Sequence, residues 1–327
     1  MVPPTDMAPR PDGGPVVALS GGIGGAKLAL GLYRVLGPDR LTVIANCGDD
    51  FEHLGLHVSP DLDTLMYTLA GLANQEAGWG RAGETWTFMT ALEALGGETW
   101  FRLGDGDLAT HLERTRRLQA GESLTRITAD FAQRLGIRAR LVPMSDDRVP
   151  TVVETSQGRL PFQRYFVEQG SAPAAKGFVY QGAAAARPGP AALDALGLPG
   201  LRTVVICPSN PFLSIDPILA LPAVRAALAA CSAPVIAVSP IVGGAAVKGP
   251  TAKIMRELGL PPTPATIARH YGSLLDGFVL DEQDAAEAAE VPMPTLVTRT
   301  LMDTLAARDS LARDVLAFAM RLAAVDA

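Results

Sequence analysis

The sequence predicts an α/β fold: a mainly parallel, Rossmann-like sheet with helices on both faces and a central α+β insertion. Three observations predict it. Short apolar runs alternate with segments of helical periodicity toward both ends of the chain. The first run opens directly into a glycine-rich turn. Several runs end in clusters of Gly, Ser, Asn and Asp, as expected beyond the carboxyl ends of strands in open α/β sheets, where ligands bind.

The elements follow in order. Val16-Val17-Ala18-Leu19 is a first buried strand leading into Ser20-Gly21-Gly22-Ile23-Gly24-Gly25. Leu28, Leu32 and Leu36 then recur at i, i+4 and i+8, with Tyr33 beside them, as one face of a helix that Gly37-Pro38 ends. Leu41-Thr42-Val43-Ile44-Ala45 is the second strand and opens into the acidic loop Asn46-Cys47-Gly48-Asp49-Asp50. From about residue 64 to 181 the pattern changes: helical segments precede strand runs such as Thr151-Val152-Val153-Glu154, with a turn at Gln157-Gly158. We read 64–181 as an insertion capping the sheet.

The alternation resumes with Thr203-Val204-Val205-Ile206, ending in Pro208-Ser209-Asn210-Pro211. Pro234-Val235-Ile236-Ala237-Val238 ends in Ser239-Pro240, and 277–280 and 295–297 read as further strands. Leu311, Val315, Phe318 and Leu322 mark a closing amphipathic helix. With no linker in sight, 15–327 reads as a single composite domain. Residues 1–14, rich in Pro, Asp and Gly, read as a flexible tail, and the Ala/Pro/Gly-rich 184–199 as a surface excursion.

Composition narrows the function classes. The 327 residues are 48% hydrophobic and 19% charged, enough apolar content for a sizeable core and too much for a disordered chain. A net charge of −6 without Lys/Arg blocks argues against nucleic acid as a main partner, while leaving room for a small anion in a local positive pocket. Cys47, Cys207 and Cys231 show neither a disulfide framework nor zinc-ligand spacing, which points to a reducing, cytoplasmic setting. His53, His57, His111 and His270 form no recognisable ligand pair. No apolar stretch approaches the ~20 residues of a membrane span, and residues 1–14 lack a signal-peptide core, so we expect a soluble protein with no membrane partner.

Four groups of residues carry candidate chemistry. In Gly21-Gly22-Ile23-Gly24-Gly25-Ala26-Lys27, a glycine-rich turn between strand and helix lets backbone N–H groups approach a phosphate, with Lys27 adding charge. The spacing is not a Walker motif and resembles a Rossmann fingerprint only loosely; a tight turn needing small residues is the bland alternative, and the clean strand before the loop and clean helix after it favour anion binding. Asp49-Asp50 and Ser59-Pro60-Asp61-Leu62-Asp63-Thr64 supply carboxylates that suit Mg2+ beside a phosphate site. Alternatively Ser59 or Asp61 caps a helix, or Asp49 binds a ribose. Asp63 is expected in a loop rather than in the core. Around Thr85, Trp86 and Arg102, tryptophans flanking a polar loop could stack on a planar ring and the arginine meet an oxygen or phosphate, although core packing also accounts for Trp79 and Trp86. Ser209 and Asn210, at a strand end, offer neutral hydrogen bonds to a base, ribose or phosphate.

Together these segments resemble the 2-phospho-L-lactate transferase family of coenzyme F-420 biosynthesis. The resemblance runs from Val16 to about Asp284 and rests on pieces in fixed order: SGGxGxxK at 20–27, NxGDD at 46–50, SPDLDT at 59–64, LGDxDxATH at 103–111, PMSDD at 143–147, PSNP at 208–211 and a SPIxGxxxxKGP-like run at 239–250. The glycine loop departs from the GGTGTPK form of many archaeal members and looks more bacterial.

The resemblance implies transfer of a phospho-acyl group (2-phospholactate, phosphoenolpyruvate or 3-phosphoglycerate) from a guanosine-diphosphate-linked donor to the ribityl hydroxyl of the deazaflavin Fo, with GMP leaving. It implies Mg2+ as cofactor, a donor-forming guanylyltransferase as partner and a homodimer. On that reading Gly21, Gly22, Gly24, Gly25, Lys27, Ser209 and Asn210 hold the nucleotide, and Asp49, Asp61 and Asp63 hold Mg2+ and act on the hydroxyl. Asp63 and Arg102 meet the deazaflavin; apart from the resemblance, we place Thr85 beside them and Trp86 or Trp79 as a stacking wall. Regulatory proteins of the same fold that bind nucleotide-sugars are the competing reading. They carry a DDGGSSG-like run where this chain has Asp49-Asp50-Phe51-Glu52-His53-Leu54-Gly55.

Overall fold

The computed structural model describes residues 13–37, 39–74 and 79–325. All but the last two residues of the expected tail 1–14 lie outside them. Seven strands form the main sheet: β1 (Val16–Ser20), β2 (Leu41–Ala45), β3 (Arg140–Pro143), β4 (Thr203–Ile206), β5 (Val235–Val238), β6 (Gly277–Leu280) and β7 (Thr295–Val297). Their order is β7-β6-β5-β4-β1-β2-β3, and every pair is parallel. β1, β2, β4, β5 and β6 are buried along their whole length, which explains their continuous Val/Ile/Leu/Ala runs without polar alternation.

The chain winds outward from the centre in both directions. Right-handed crossovers therefore place α1 (Gly22–Leu36), between β1 and β2, on one face, and helix Pro222–Ala229, between β4 and β5, on the other. α1 is wedged between the closing helix Leu305–Val325 and α2 (Pro60–Leu69). It can lie that close because Gly31 faces the backbone of Arg308, where a Cβ would meet the carbonyl oxygen at 2.3 Å.

Two expectations are refined. The stretch 64–181 does not lie wholly outside the sheet, because β3 returns within it as the edge strand beside β2. With only four residues, one of them the exposed Arg140, β3 has too short an apolar run to stand out. What surrounds it is two excursions. One is helical and ends at Leu124–Arg134; the other is an antiparallel sheet of Thr151–Thr155, Gly158–Pro161 and Ala175–Tyr180. The region 184–199 is not a simple surface excursion either. It contains helix Pro190–Leu196, whose Ala192, Ala195 and Leu196 are buried, alanines being small enough to bring it against helix Pro222–Ala229. All three cysteines are free, and no single described helix is long and apolar enough to cross a membrane.

Candidate active site

The strand order reverses between β1 and β4, the switch point at which open α/β sheets bind ligands. Loops beyond the carboxyl ends of β1, β2, β4 and β5 enclose a cleft of about 720 Å3 there. Its base is the glycine loop. Gly22 enters α1 at φ +63°, where a side chain would be strained. A Cβ on Gly24 would stand 2.4 Å from the carbonyl oxygen of Pro208, and one on Gly25 2.3 Å from the hydroxyls of Ser20 and Ser209. The small residues thus let the loop seat on Pro208-Ser209. There Ser209 Oγ donates to Gly21 O at 2.8 Å and accepts from Gly21 N at 3.3 Å. Asn210 Oδ1 accepts from the backbone N–H groups of Phe212 and Leu213 at 3.0 and 3.1 Å, leaving its amide nitrogen without a partner. Gly21, Gly22, Gly24, Lys27, Ser209 and Asn210 line the cleft, whereas Gly25 is buried beneath it.

The predicted acids divide into two sets. In the first, Asn46 links Asp49 and Asp61: its amide donates to Asp61 Oδ2 at 2.8 Å and lies 3.4 Å from Asp49 Oδ1. Asp49 Oδ2 accepts from Asp61 N at 3.0 Å, and Asp61 Oδ1 accepts from Gly22 N at 2.6 Å. These partners are amides, with the Ser214 hydroxyl beside Asp61; among the described residues no cationic side chain pairs with either acid. Burial, then the neighbouring charges of Asp61 and Asp50, push the Asp49 carboxyl well above the usual range. Burial raises Asp61 to about 6 against the pull of Asn46, Gly22 and Ser214. Next to them Asp50 accepts from Ser59 Oγ at 2.9 Å and lies 3.0 Å from His57 Nε2, and its other oxygen has no partner.

In the second set the charges are matched. Asp63 is not in a loop: it occupies the first turn of α2, is 5% exposed, and takes both terminal nitrogens of the fully buried Arg114. His111 stands between Asp63 and Asp107, with Nδ1 3.6 Å from one and Nε2 3.2 Å from the other. Tyr67 Oη donates to Asp107 at 2.6 Å. Burial opposes the charge on Asp107, but the hydrogen bond and charge of His111, with Tyr67, hold its carboxyl below the usual range. Asp63, Asp107 and His111 form a group with metal-ligand spacing, whereas Asp49, Asp61 and Asp63 do not gather into one such group among the described residues.

Arg102 lines the cleft with its guanidinium carbon 4.2 Å above the Trp86 ring. Trp86 therefore backs the arginine and does not itself line the cleft, and Thr85 is turned to Asp105 through a side-chain hydrogen bond. The aromatic wall comes from elsewhere: Trp79, Trp100, Phe101, Phe162 and Phe166 face the opening, with Phe162 stacked on Phe166 at 5.4 Å. Sequence reasoning offered Trp79, with Trp86, as a stacking wall but missed the rest of this wall, the linking role of Asn46, and the Arg114–His111–Tyr67 network. Tyr67, His111 and Arg114 showed only as single residues within helical runs.

The comparisons with known proteins agree. The family model for 2-phospho-L-lactate transferase CofD matches residues 16–299. A phosphoenolpyruvate transferase of Streptomyces griseus is 43% identical over 313 residues, covering 93% of this chain and 98% of that protein. One from Thermobifida fusca is 44% identical over 284 residues, covering 83% and 87%. Among solved structures, a member of the upf0052 family from Bacillus halodurans superposes with a TM-score of 0.59 at 14% identity, covering 93% of this chain and 98% of that one, a likeness of fold alone. The chain belongs to the 2-phospho-L-lactate transferase CofD family and is a phosphotransferase enzyme.

Proposed function

We propose that this protein transfers a phosphoenolpyruvyl group from a guanosine-diphosphate-linked donor to the ribityl hydroxyl of the deazaflavin Fo, releasing GMP, in coenzyme F-420 biosynthesis. The choice of phosphoenolpyruvate over 2-phospholactate or 3-phosphoglycerate is supported by relatives of that name at 42–44% identity. The observation that carries the reading is the meeting, in one cleft, of a glycine loop with Lys27, an uncompensated pair of buried carboxylates, and an aromatic wall with Arg102.

The residues fit a magnesium ion. Asp49 and Asp61 offer only oxygens, have no positive side chain bonded to them among the described residues, and face the loop that would hold phosphate. Asp49 and Asp61 would hold the ion, which when bound supplies charge neutralisation for the phosphates. Asp63 is committed to Arg114 and serves better to fix the acceptor end of the site.

Phosphoryl transfer asks the protein mainly for positioning and electrostatics. The first-turn N–H groups of α1 that follow Gly22, with Lys27, Ser209 and the free amide of Asn210, bind the diphosphate and nucleoside. The aromatic wall and Arg102 hold the deazaflavin. The ribityl oxygen forms the new bond to the phosphorus bearing the acid, the bridging P–O bond breaks, and its electron pair stays on GMP. The hydroxyl proton passes to a carboxylate of the Asp49–Asp61 pair.

The test is a coupled reaction of purified protein, Fo, GTP, Mg2+ and a donor-forming guanylyltransferase, with the three acids offered separately and products resolved by mass. A Mg2+-dependent phosphoenolpyruvyl adduct of Fo is expected. An adduct only with another acid would correct the donor, and no adduct with any would reject the reading.

A further inference from the structure

Val247 and Lys248 line the β5 side of the cleft. After β5 the chain forms a two-stranded hairpin, Ile241–Val242 with Ala245–Ala246, and then runs through Val247-Lys248-Gly249 into helix Thr251–Glu257. The turn of the hairpin is pinned: Gly243 N donates to both carboxylate oxygens of the buried Asp284 at 2.9 and 3.0 Å, and Ser239 Oγ brackets Ile241 at the start of its first strand. The segment that leaves its second strand is open to the cleft. Val247 is 55% exposed and Lys248 is exposed, yet both line the cleft. Gly243, Gly244 and Gly249 all have φ between +59° and +72°, conformations that only glycine adopts without strain.

We propose that Lys248 is a second cationic contact for the phosphate chain of the nucleoside-diphosphate donor, reaching it from the hairpin across the cleft from Lys27. This rests on the reading that the cleft takes such a donor. Lys248 forms no hydrogen bond or ion pair with any described residue, and neither does Lys27. Lys27 nonetheless feels its cationic neighbours: burial first, then the charges of Arg308 and Lys248, hold its ammonium below the ordinary lysine range. Two ammonium groups lining one cleft repel unless an anion lies between them, and a lysine is a point charge suited to phosphate oxygens. The cleft is segregated accordingly, with Asp49, Asp61 and Asp63 contributed from the β2 side and Lys27 and Lys248 from the glycine loop and the β5 side. The exposed Val247 next to Lys248 gives this segment an apolar surface to lay over a bound ligand.

The experiment is titration of wild type, K248M, K248A and K248R with GDP and, separately, with Fo, at constant Mg2+ and salt. K248M and K248A are expected to weaken GDP about tenfold, the effect of losing one charge-assisted hydrogen bond. K248R should stay within about threefold, and Fo affinity should change less than about twofold in every variant. K248M keeps the aliphatic stem, so it separates charge from packing. GDP binding by K248M equal to wild type, or equal losses for GDP and Fo, would overturn the proposal. A wild type that binds Fo but no GDP would overturn the donor reading itself, and this proposal with it.

Discussion

Two sets of buried acids face the same cleft and differ in what neutralises them. Asp63 and Asp107 are matched within the protein, by Arg114, His111 and Tyr67. Asp49 and Asp61 receive only amide and hydroxyl donors and hold their protons more tightly for it. A folded chain tolerates the first arrangement indefinitely. The second is costly unless something positive arrives. On the proposed function the matched set holds the site together and the unmatched pair takes the cation and the proton, although the matched set is the one with metal-ligand spacing.

The largest expected effect breaks the unmatched pair. Asp61→Asn should lower turnover by about 10³-fold, the loss of a base and a ligand together. Without metal its melting temperature should be no lower than that of wild type, because a repelling carboxylate is gone. A melt and a rate on the same preparation check both halves. Asp63→Asn should behave in the opposite sense. It strands the buried Arg114, so a stability loss of about 3–5 kcal/mol is expected in denaturant titration. A variant as stable as wild type would mean that Arg114 finds another partner.

The sequence revealed the parallel sheet well because β1, β2, β4, β5 and β6 are buried on both faces and read as plain apolar runs. It revealed the glycine loop and the acids through their position at strand ends. It could not sort those acids, since Asp63 meets Arg114 fifty-one positions away and nothing local marks the partner. Arg114 sits in the run Glu113-Arg114-Thr115-Arg116-Arg117, which reads as a solvated face, and only packing shows that Arg114 turns inward while Arg116 turns out. Trp86 misled for a similar reason. Its ring is used, but as a support for Arg102 and not as a wall.

A smaller effect should appear with pH. Because the Asp61 carboxyl is raised from 3.8 to about 6, the folded metal-free protein keeps a proton between roughly pH 4 and 6 that the unfolded chain has lost. Its contribution to stability is therefore complete below about pH 4 and is lost as pH rises through about 6, by on the order of 1–3 kcal/mol. Mg2+ should restore it at pH 7 and do little at pH 4.5; melts across that range with and without Mg2+ decide it. The smallest effect is expected at the acceptor end. Arg102→Ala should raise the KM for Fo about tenfold and that for the donor less than about twofold, and equal rises would make the residue merely structural.

The contrast between the two acid sets is tested most directly by Mn2+ binding, followed by electron paramagnetic resonance, in wild type, Asp49→Asn, Asp61→Asn and Asp107→Asn proteins. The account predicts that bound Mn2+ disappears in the first two variants and persists in the third. Retention in Asp49→Asn and Asp61→Asn, with loss in Asp107→Asn, would place the ion among Asp63, Asp107 and His111 and contradict it.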